Sequence, residues 1–157
     1  MNTTSPHGHT VQSLDAGSLD MATVAELPAG SVVDLAFPIA FGTADGAVLG
    51  TVPTGCALLV LRGFWEVTTA FSGGSSSAIG LASSQAPHTT AGDLLGGASG
   101  NVEADLTAGI KEGTVGADQA AGILLVAGAT ITFERITSAF TAGAGYAHLV
   151  CVVIKPS

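Results

Sequence analysis

The sequence predicts an all-β fold: a jelly-roll-like β-sandwich built from two similar hairpin halves, with an extended N-terminal arm. The strongest sign is the stretch 57–82, ALLVLRGFWEVTTAFSGGSSSAIGLA. An apolar run rich in β-branched and aromatic residues breaks at a Gly-Gly-Ser turn and resumes as Ala78-Ile79-Gly80-Leu81-Ala82. Such residues suit a pleated, half-buried surface, and the glycines supply turn angles that other residues resist. The second sign is an echo. Phe64-Trp65-Glu66-Val67-Thr68-Thr69-Ala70-Phe71 returns as Phe133-Glu134-Arg135-Ile136-Thr137-Ser138-Ala139-Phe140, again followed by a glycine-containing turn and an apolar run. On this alignment Val67 matches Ile136 and Phe71 matches Phe140, as equivalent core positions of the two halves. The third sign is the lack of any sustained helical period. Short apolar runs instead alternate with Gly- and Pro-bearing turns, the pattern of a sandwich.

Taken in order, residues 1–26 are polar, rich in Ser, Thr, Asp and His, and read as an arm too poor in apolar side chains to build its own core. Its apolar members Val11, Leu14, Leu19, Met21 and Val24 are the expected anchors to a neighbouring surface. The body spans 27–157. Leu27-Pro28-Ala29-Gly30-Ser31 turns into a strand running from Val32 to Phe41. Pro38 has no N–H to give a ladder, so this strand belongs at a sheet edge or bends there. Asp45-Gly46 is a hairpin signal. Val52-Pro53-Thr54-Gly55 repeats the earlier Pro-Gly lead-in before the central strand. There, alternation puts Leu59, Leu61, Trp65, Val67 and Phe71 on one face. Leu58, Val60, Arg62, Phe64, Glu66 and Thr68 fall on the other, and Gly63 marks a bulge or a close backbone approach.

Residues 83–122 are irregular and longer than a plain loop in a compact domain. They read as an excursion with small elements, a helical turn at 90–95 and short strands at 102–106 and 110–115, and as an interaction surface. Strands return at 123–126, 130–137 and 146–155. The last is nearly continuous in apolar residues, as suits the middle of a sheet.

Composition narrows the function. Only 10% of the 157 residues are charged, against about 25% in an ordinary soluble domain. Either Ser, Thr, Gly and Ala cover the outside or neighbouring subunits do, and the second reading makes the protein a homo-oligomer. The net charge is −8, with Arg62, Lys111, Arg135 and Lys155 as the fixed cations. That leaves no basic stripe for phosphates and nothing to attract an anionic membrane, so neither nucleic acid nor membrane is an expected partner. No apolar run approaches the length of a bilayer span, and residues 1–15 lack the basic and apolar regions of a secretory leader. Cys56 and Cys151 read as buried free thiols, the alternative being a disulfide if their strands are adjacent with the right geometry.

The residues offer little chemistry. His7-Gly8-His9 has the spacing to touch a metal from one face of a strand, but no Cys, Asp or Glu cluster accompanies it, so no metal is expected. His88 reads as a solvated loop residue and His148 as a hydrogen-bonded, partly buried one. A glycosidase-type acid and base need two carboxylates across a cleft. Glu66 and Glu134 lie one position apart in the aligned repeats, yet Arg62 and Arg135 stand near them, and ion pairs on a solvated strand face account for all four. Ser75-Ser76-Ser77 is not followed by the helix of a nucleophile elbow, and Gly96-Gly97-Ala98-Ser99-Gly100-Asn101 lacks the Lys and Ser/Thr of a phosphate loop. No catalytic residue and no cofactor is expected; the chain reads as a non-enzyme.

The Leu-Pro-Ala-Gly-Ser lead-in at 27–31, the Val-Thr-Thr-Ala-Phe-Ser-Gly-Gly segment at 67–74 and the Gly-Ala-Gly-Tyr-Ala turn at 143–147 carry a resemblance. In these features the chain resembles small virion structural proteins of tailed bacteriophages, in particular the decoration or cement proteins of the head. The resemblance implies a β-sandwich that binds the exterior of the assembled capsid and stabilises it. Its implied partners are the major capsid protein and further copies of itself, as a trimer. The arm anchors would then grip a neighbouring subunit or the capsid. Two other readings share the composition. One is another virion component, such as a neck, tail or head-fibre base protein. The other is a carbohydrate-binding β-sandwich module, for which one Trp, one Tyr and six Phe, mostly inside strands, supply few stacking platforms.

Overall fold

The computed structural model describes residues 2–4, 10–12, 21–74, 76–96, 102–113 and 122–156. In chain order its elements are β1 (Asn2–Thr4), β2 (Thr10–Gln12), the short helix α1 (Met21–Glu26), β3 (Val32–Ala40), β4 (Ala47–Thr51), β5 (Ala57–Ser72), β6 (Ala78–Ser83), β7 (Gly109–Glu112), β8 (Ile123–Leu125), β9 (Thr130–Ile136) and β10 (Ala142–Ile154). Strands β1 and β2 pair with each other, Thr3 opposite Val11. The others form two antiparallel sheets. The larger runs β3–β10–β5, with β7 and β8 sharing the far edge of β5; the smaller runs β4–β9–β6. Their inner faces supply one apolar core, so the predicted all-β sandwich is the fold.

Two strands take the places their residues dictate. β3, with Pro38, lies at the edge of the larger sheet and pairs only with β10 among the described strands. β10 lies between β3 and β5, and its side chains alternate: Ala147, Leu149, Cys151 and Val153 are buried, and the residues between them turn outward. The long strand β5 departs from the predicted alternation. Leu58 and Val60 point into the core together with Trp65 and Val67, while Leu61 is exposed. The ladder explains it: Cys151 pairs with Val60 and Val150 with Arg62, so Leu61 is an extra residue, a bulge two positions before Gly63. One inserted residue exchanges the faces of everything beyond it. Gly63 is the other half of the expectation, a close approach. A Cβ there would sit 2.8 Å from Leu95 and 3.0 Å from the carbonyl of His148.

The two repeats are strand–turn–strand units, but neither closes on itself as a hairpin. β5 pairs with β10 in one sheet and β6 with β9 in the other, so each repeat crosses the core at its turn. The turns lock to each other instead. The Thr141 N–H donates to the Ser72 carbonyl at 2.8 Å, and the buried Ser77 hydroxyl donates to the Ser138 carbonyl at 2.9 Å. This brings Phe71 and Phe140 edge to face, with ring centroids 5.1 Å apart. Both are buried in the core, as expected, and they meet there as one packed pair. Val67 is buried too, whereas Ile136 is only half-buried. Asp45-Gly46 also joins strands of different sheets: the Asp45 carboxylate accepts from the Arg135 N–H at 2.8 Å, and the Gly46 N–H donates to the Phe133 carbonyl at 2.8 Å.

The excursion after β6 turns its leucines inward. The Leu81 N–H donates to the Leu95 carbonyl at 2.7 Å, the Leu94 N–H donates to the Leu81 carbonyl at 3.0 Å, and Leu94, Leu95 and Leu106 are fully buried. All of β6 is covered in consequence. Of the expected small strands, 110–112 falls in β7 and 114–115 lies outside the described residues, while 102–106 forms turns with a single bridge from Val102 to Ala78.

The segment read as an arm corrects in one place. Residues 21–26 form a helix whose Val24 is fully buried in the body's core and whose Met21 packs against that core. Met21 and Val24, three apart, share a helical face. The helix stops before Pro28, which disfavours a helical residue ahead of it. The Lys155 ammonium donates to the Ala25 carbonyl and ties this helix to the chain end. So short an element leaves no visible period in the sequence. Met21 and Val24 thus serve their own body; Val11 stands in β2, and Leu14 and Leu19 lie outside the described residues.

Because Phe71 and Phe140 are both buried and touch, Phe71→Ala and Phe140→Ala should each cost about 3–5 kcal/mol. The double variant should fall short of the sum by about 0.5–1.5 kcal/mol, the worth of an aromatic pair. Urea unfolding of the four proteins measures both quantities; full additivity would show that the rings do not share one site.

Candidate functional site

Strand parity gathers polar and aromatic side chains on the outer face of the larger sheet. Asp34 on β3, His148 on β10 and Glu66 on β5 all turn outward, on three adjacent strands. The register sets His148 opposite Ala36 and Phe64, which leaves Asp34 and Glu66 on its two diagonals. Nδ1 of His148 lies 3.0 and 3.1 Å from the two Asp34 oxygens, and Nε2 lies 3.3 Å from Glu66 Oε2. The ring stacks on Phe64 at 4.3 Å between centroids, nearly parallel, and the Arg62 guanidinium sits 5.4 Å over the other ring of this stack, that of Phe64. A neutral imidazole has one N–H and so satisfies one carboxylate; the imidazolium donates to both.

Beside this cluster runs an aliphatic row. Val32 pairs with Val152, Val152 with Leu59, and Leu59 with Leu124, so one apolar row crosses from β3 to β8. Val32 is 64% exposed and Leu124 44%. Ile154 and Leu61 extend the row, and Tyr146 and Ile110 lie beyond the cluster on the same face, each exposed.

The cluster stands open to water. It lies on an open sheet face, with the carboxylates of Asp34 and Glu66 41% and 44% exposed, so water is not excluded from it. Glu134, the other sequence candidate, is on β9 in the opposite sheet and accepts from the Thr132 hydroxyl at 2.8 Å, so the two glutamates share no cleft. Arg62 lies over Phe64 rather than pairing with Glu66. Nor is His88 solvated: it is buried where the chain returns to the end of β6, its carbonyl accepting from the Ser83 N–H at 2.7 Å. His7 and His9 lie outside the described residues, and among those described no three His, Cys, Asp or Glu side chains are placed to hold a metal. A depression of about 470 Å³ is lined by Phe71, Ser76, Val102, Glu103 and Ala104. Glu103, the one carboxylate among its described lining residues, accepts from the Gly73 N–H at 3.0 Å.

Both cysteines are free and buried. Burial pushes the Cys151 thiol from 9.0 up to about 12, with the negative charge of Asp34 adding to the effect, so it is not a thiolate nucleophile at neutral pH. Sequence reasoning named Glu66 and His148 singly and missed Asp34. Only the register joins residues so far apart in the chain.

The fold thus defines an antiparallel β-sandwich whose chain passes repeatedly between its sheets. No family model matches the chain, and no curated protein matches it. A chain from the solved structure "Capsid of Ralstonia phage GP4" is similar, with a TM-score of 0.51 and 15% sequence identity. The match covers 83% of this chain and 88% of that one, so the two are of nearly equal length. At that identity the likeness is one of fold.

The Cys151 thiol makes stability depend on pH in a fixed direction. Above pH 9 the unfolded chain loses the thiol proton that the native state keeps to about 12. The contribution is therefore complete below pH 9 and falls by about 1.4 kcal/mol per unit as pH rises through that window. Urea unfolding at pH 8, 9.5 and 10.5 should show a steeper decline for the native sequence than for Cys151→Ala; equal slopes would refute it.

Proposed function

We propose that the protein is a non-enzymatic virion structural protein of a tailed bacteriophage that binds the exterior of the capsid and stabilises it. The observation that carries this reading is the fold shared, over most of both chains, with a protein of similar length from a phage capsid. The winding supports the jelly-roll form of the sandwich: β3 and β4 lie beside β10 and β9, and both pairs switch sheets. The exposed aliphatic row supports a surface-binding role, since an apolar patch of this kind marks an interaction site. A protein that binds only the assembled shell stabilises that state by mass action, and repeated lattice contacts add avidity to weak single sites. The partners are the major capsid protein and, through self-association, further copies of this chain, with a trimer as the expected state. The first twenty residues act as an arm, and Val11, Leu14 and Leu19 are its anchors. A neck, tail or head-fibre base protein is the alternative within the same class.

Purified particles test the reading. The protein should be present at a fixed high copy number per capsid, accessible to antibody on intact particles, and particles lacking it should disrupt at lower temperature. A copy number below about a dozen would shift the assignment to a neck, tail or fibre component.

Removing residues 2–20 should leave the body folded, because the buried helix begins at Met21. The thermal midpoint should be nearly unchanged while particle occupancy or oligomer stability falls. Full occupancy by the truncated chain would leave the arm without an anchoring role.

A further inference from the structure

The outer faces of the two sheets are built differently. On β9, the middle strand of the smaller sheet, the residues that alternate with the buried Ile131 and Phe133 are Thr130, Thr132 and Glu134. On β10, enclosed in the larger sheet, the corresponding outward residues at its end are Val150, Val152 and Ile154. Threonine serves an outward strand position as well as valine does, so strand formation alone does not call for the aliphatic choice. These valines continue into the row Val32–Val152–Leu59–Leu124, which stays uncovered at both ends.

The charges beside the row select what can cover it. Asp34, Glu66 and Glu112 face outward from β3, β5 and β7, against Arg62 and the imidazole of His148. Arg62 already lies over Phe64. His148 is shared between its two flanking carboxylates, 3.0 Å from Asp34 and 3.3 Å from Glu66, and both are more than two-fifths exposed, so each keeps oxygen lone pairs open to a further donor. A second copy of this chain is a poor occupant: it has four Lys and Arg against twelve Asp and Glu, and its own face would oppose carboxylates to carboxylates. A glycan would stack on the Phe64 and Tyr146 rings of the cluster, and the aliphatic Val32–Leu124 row offers it no such platform.

We infer that the outer face of the larger sheet is the docking surface for a different protein. That partner presents an apolar stripe to the Val32–Leu124 row and a lysine or arginine to the Asp34–Glu66 carboxylates. The inference rests on the capsid reading above and names the face and the chemistry of attachment.

The test is binding of the full chain to purified particles depleted of it, at 50 and 300 mM salt. Val32→Lys and Leu124→Lys alter exposed edge-strand positions and should each weaken binding at least tenfold with an unchanged thermal midpoint. Asp34→Asn combined with Glu66→Gln should weaken binding at low salt and flatten its salt dependence. Val48→Lys, equally exposed on the smaller sheet, should bind as the native chain does. Native binding by the Val32 and Leu124 variants would overturn the inference and leave the capsid reading standing. Failure of the native chain to bind particles would overturn that reading and the inference with it. Sedimentation showing a dimer that Val32→Lys dissolves would assign the face to a second copy and overturn the inference as stated.

Discussion

The pairing of β5 with β10 is the constraint on which the rest of the molecule depends. Along most of their lengths these strands hydrogen-bond to each other, and every other strand of the larger sheet is laid against one of them. The ladder is tight at two glycines. At Gly145 a Cβ would lie 2.1 Å from the Glu66 carbonyl, and at Gly63 it would strike both Leu95 and the His148 backbone. These approaches fix which residues oppose each other, and the bulge at Leu61 then fixes which face residues 62–67 of β5 show. Trp65 reaches the core and Arg62, Phe64 and Glu66 reach the outer face because of that one extra residue.

Much of the fold is legible in the sequence, for reasons that differ by element. Pro38 marks an edge because it lacks a donor, and the continuous run of β10 marks a strand enclosed on both sides. The bulge is hidden because Leu58-Leu59-Val60-Leu61 is apolar throughout, so either register reads equally well. Turn residues announce a reversal, but which sheet receives the next strand depends on distant partners. That is why two convincing hairpins are in fact two crossings. α1 is too short for its period to show. The candidate site is legible only in pieces. His148 carries the signal of a polar residue in an apolar strand, and Glu66 sits beside aromatics, but Asp34 looks like any charge on an edge strand until the register places it.

The crossings also explain how a chain with so few charges satisfies the polar groups at its turns. Backbone groups freed where strands leave one sheet are taken up by side chains at the turns: Ser77 with Ser138, Asp45 with the Arg135 N–H, Glu103 with the Gly73 N–H. Each joins segments far apart in the chain by a hydrogen bond rather than an ion pair, so the turns are held to one another with few charges.

The same architecture bears on how the outer face can act. Its aliphatic row and its carboxylates stand on hydrogen-bonded strands of the larger sheet, and His148 is held by a ring stack as well as by hydrogen bonds. Side chains fixed in this way have little conformational freedom left to lose on docking, and the free energy of covering them is correspondingly less offset by ordering. A face borne on a loop would have to be ordered at each encounter. A small rigid face that binds weakly but without that cost suits a role in which many copies meet a repeating surface, where the number of contacts supplies the strength.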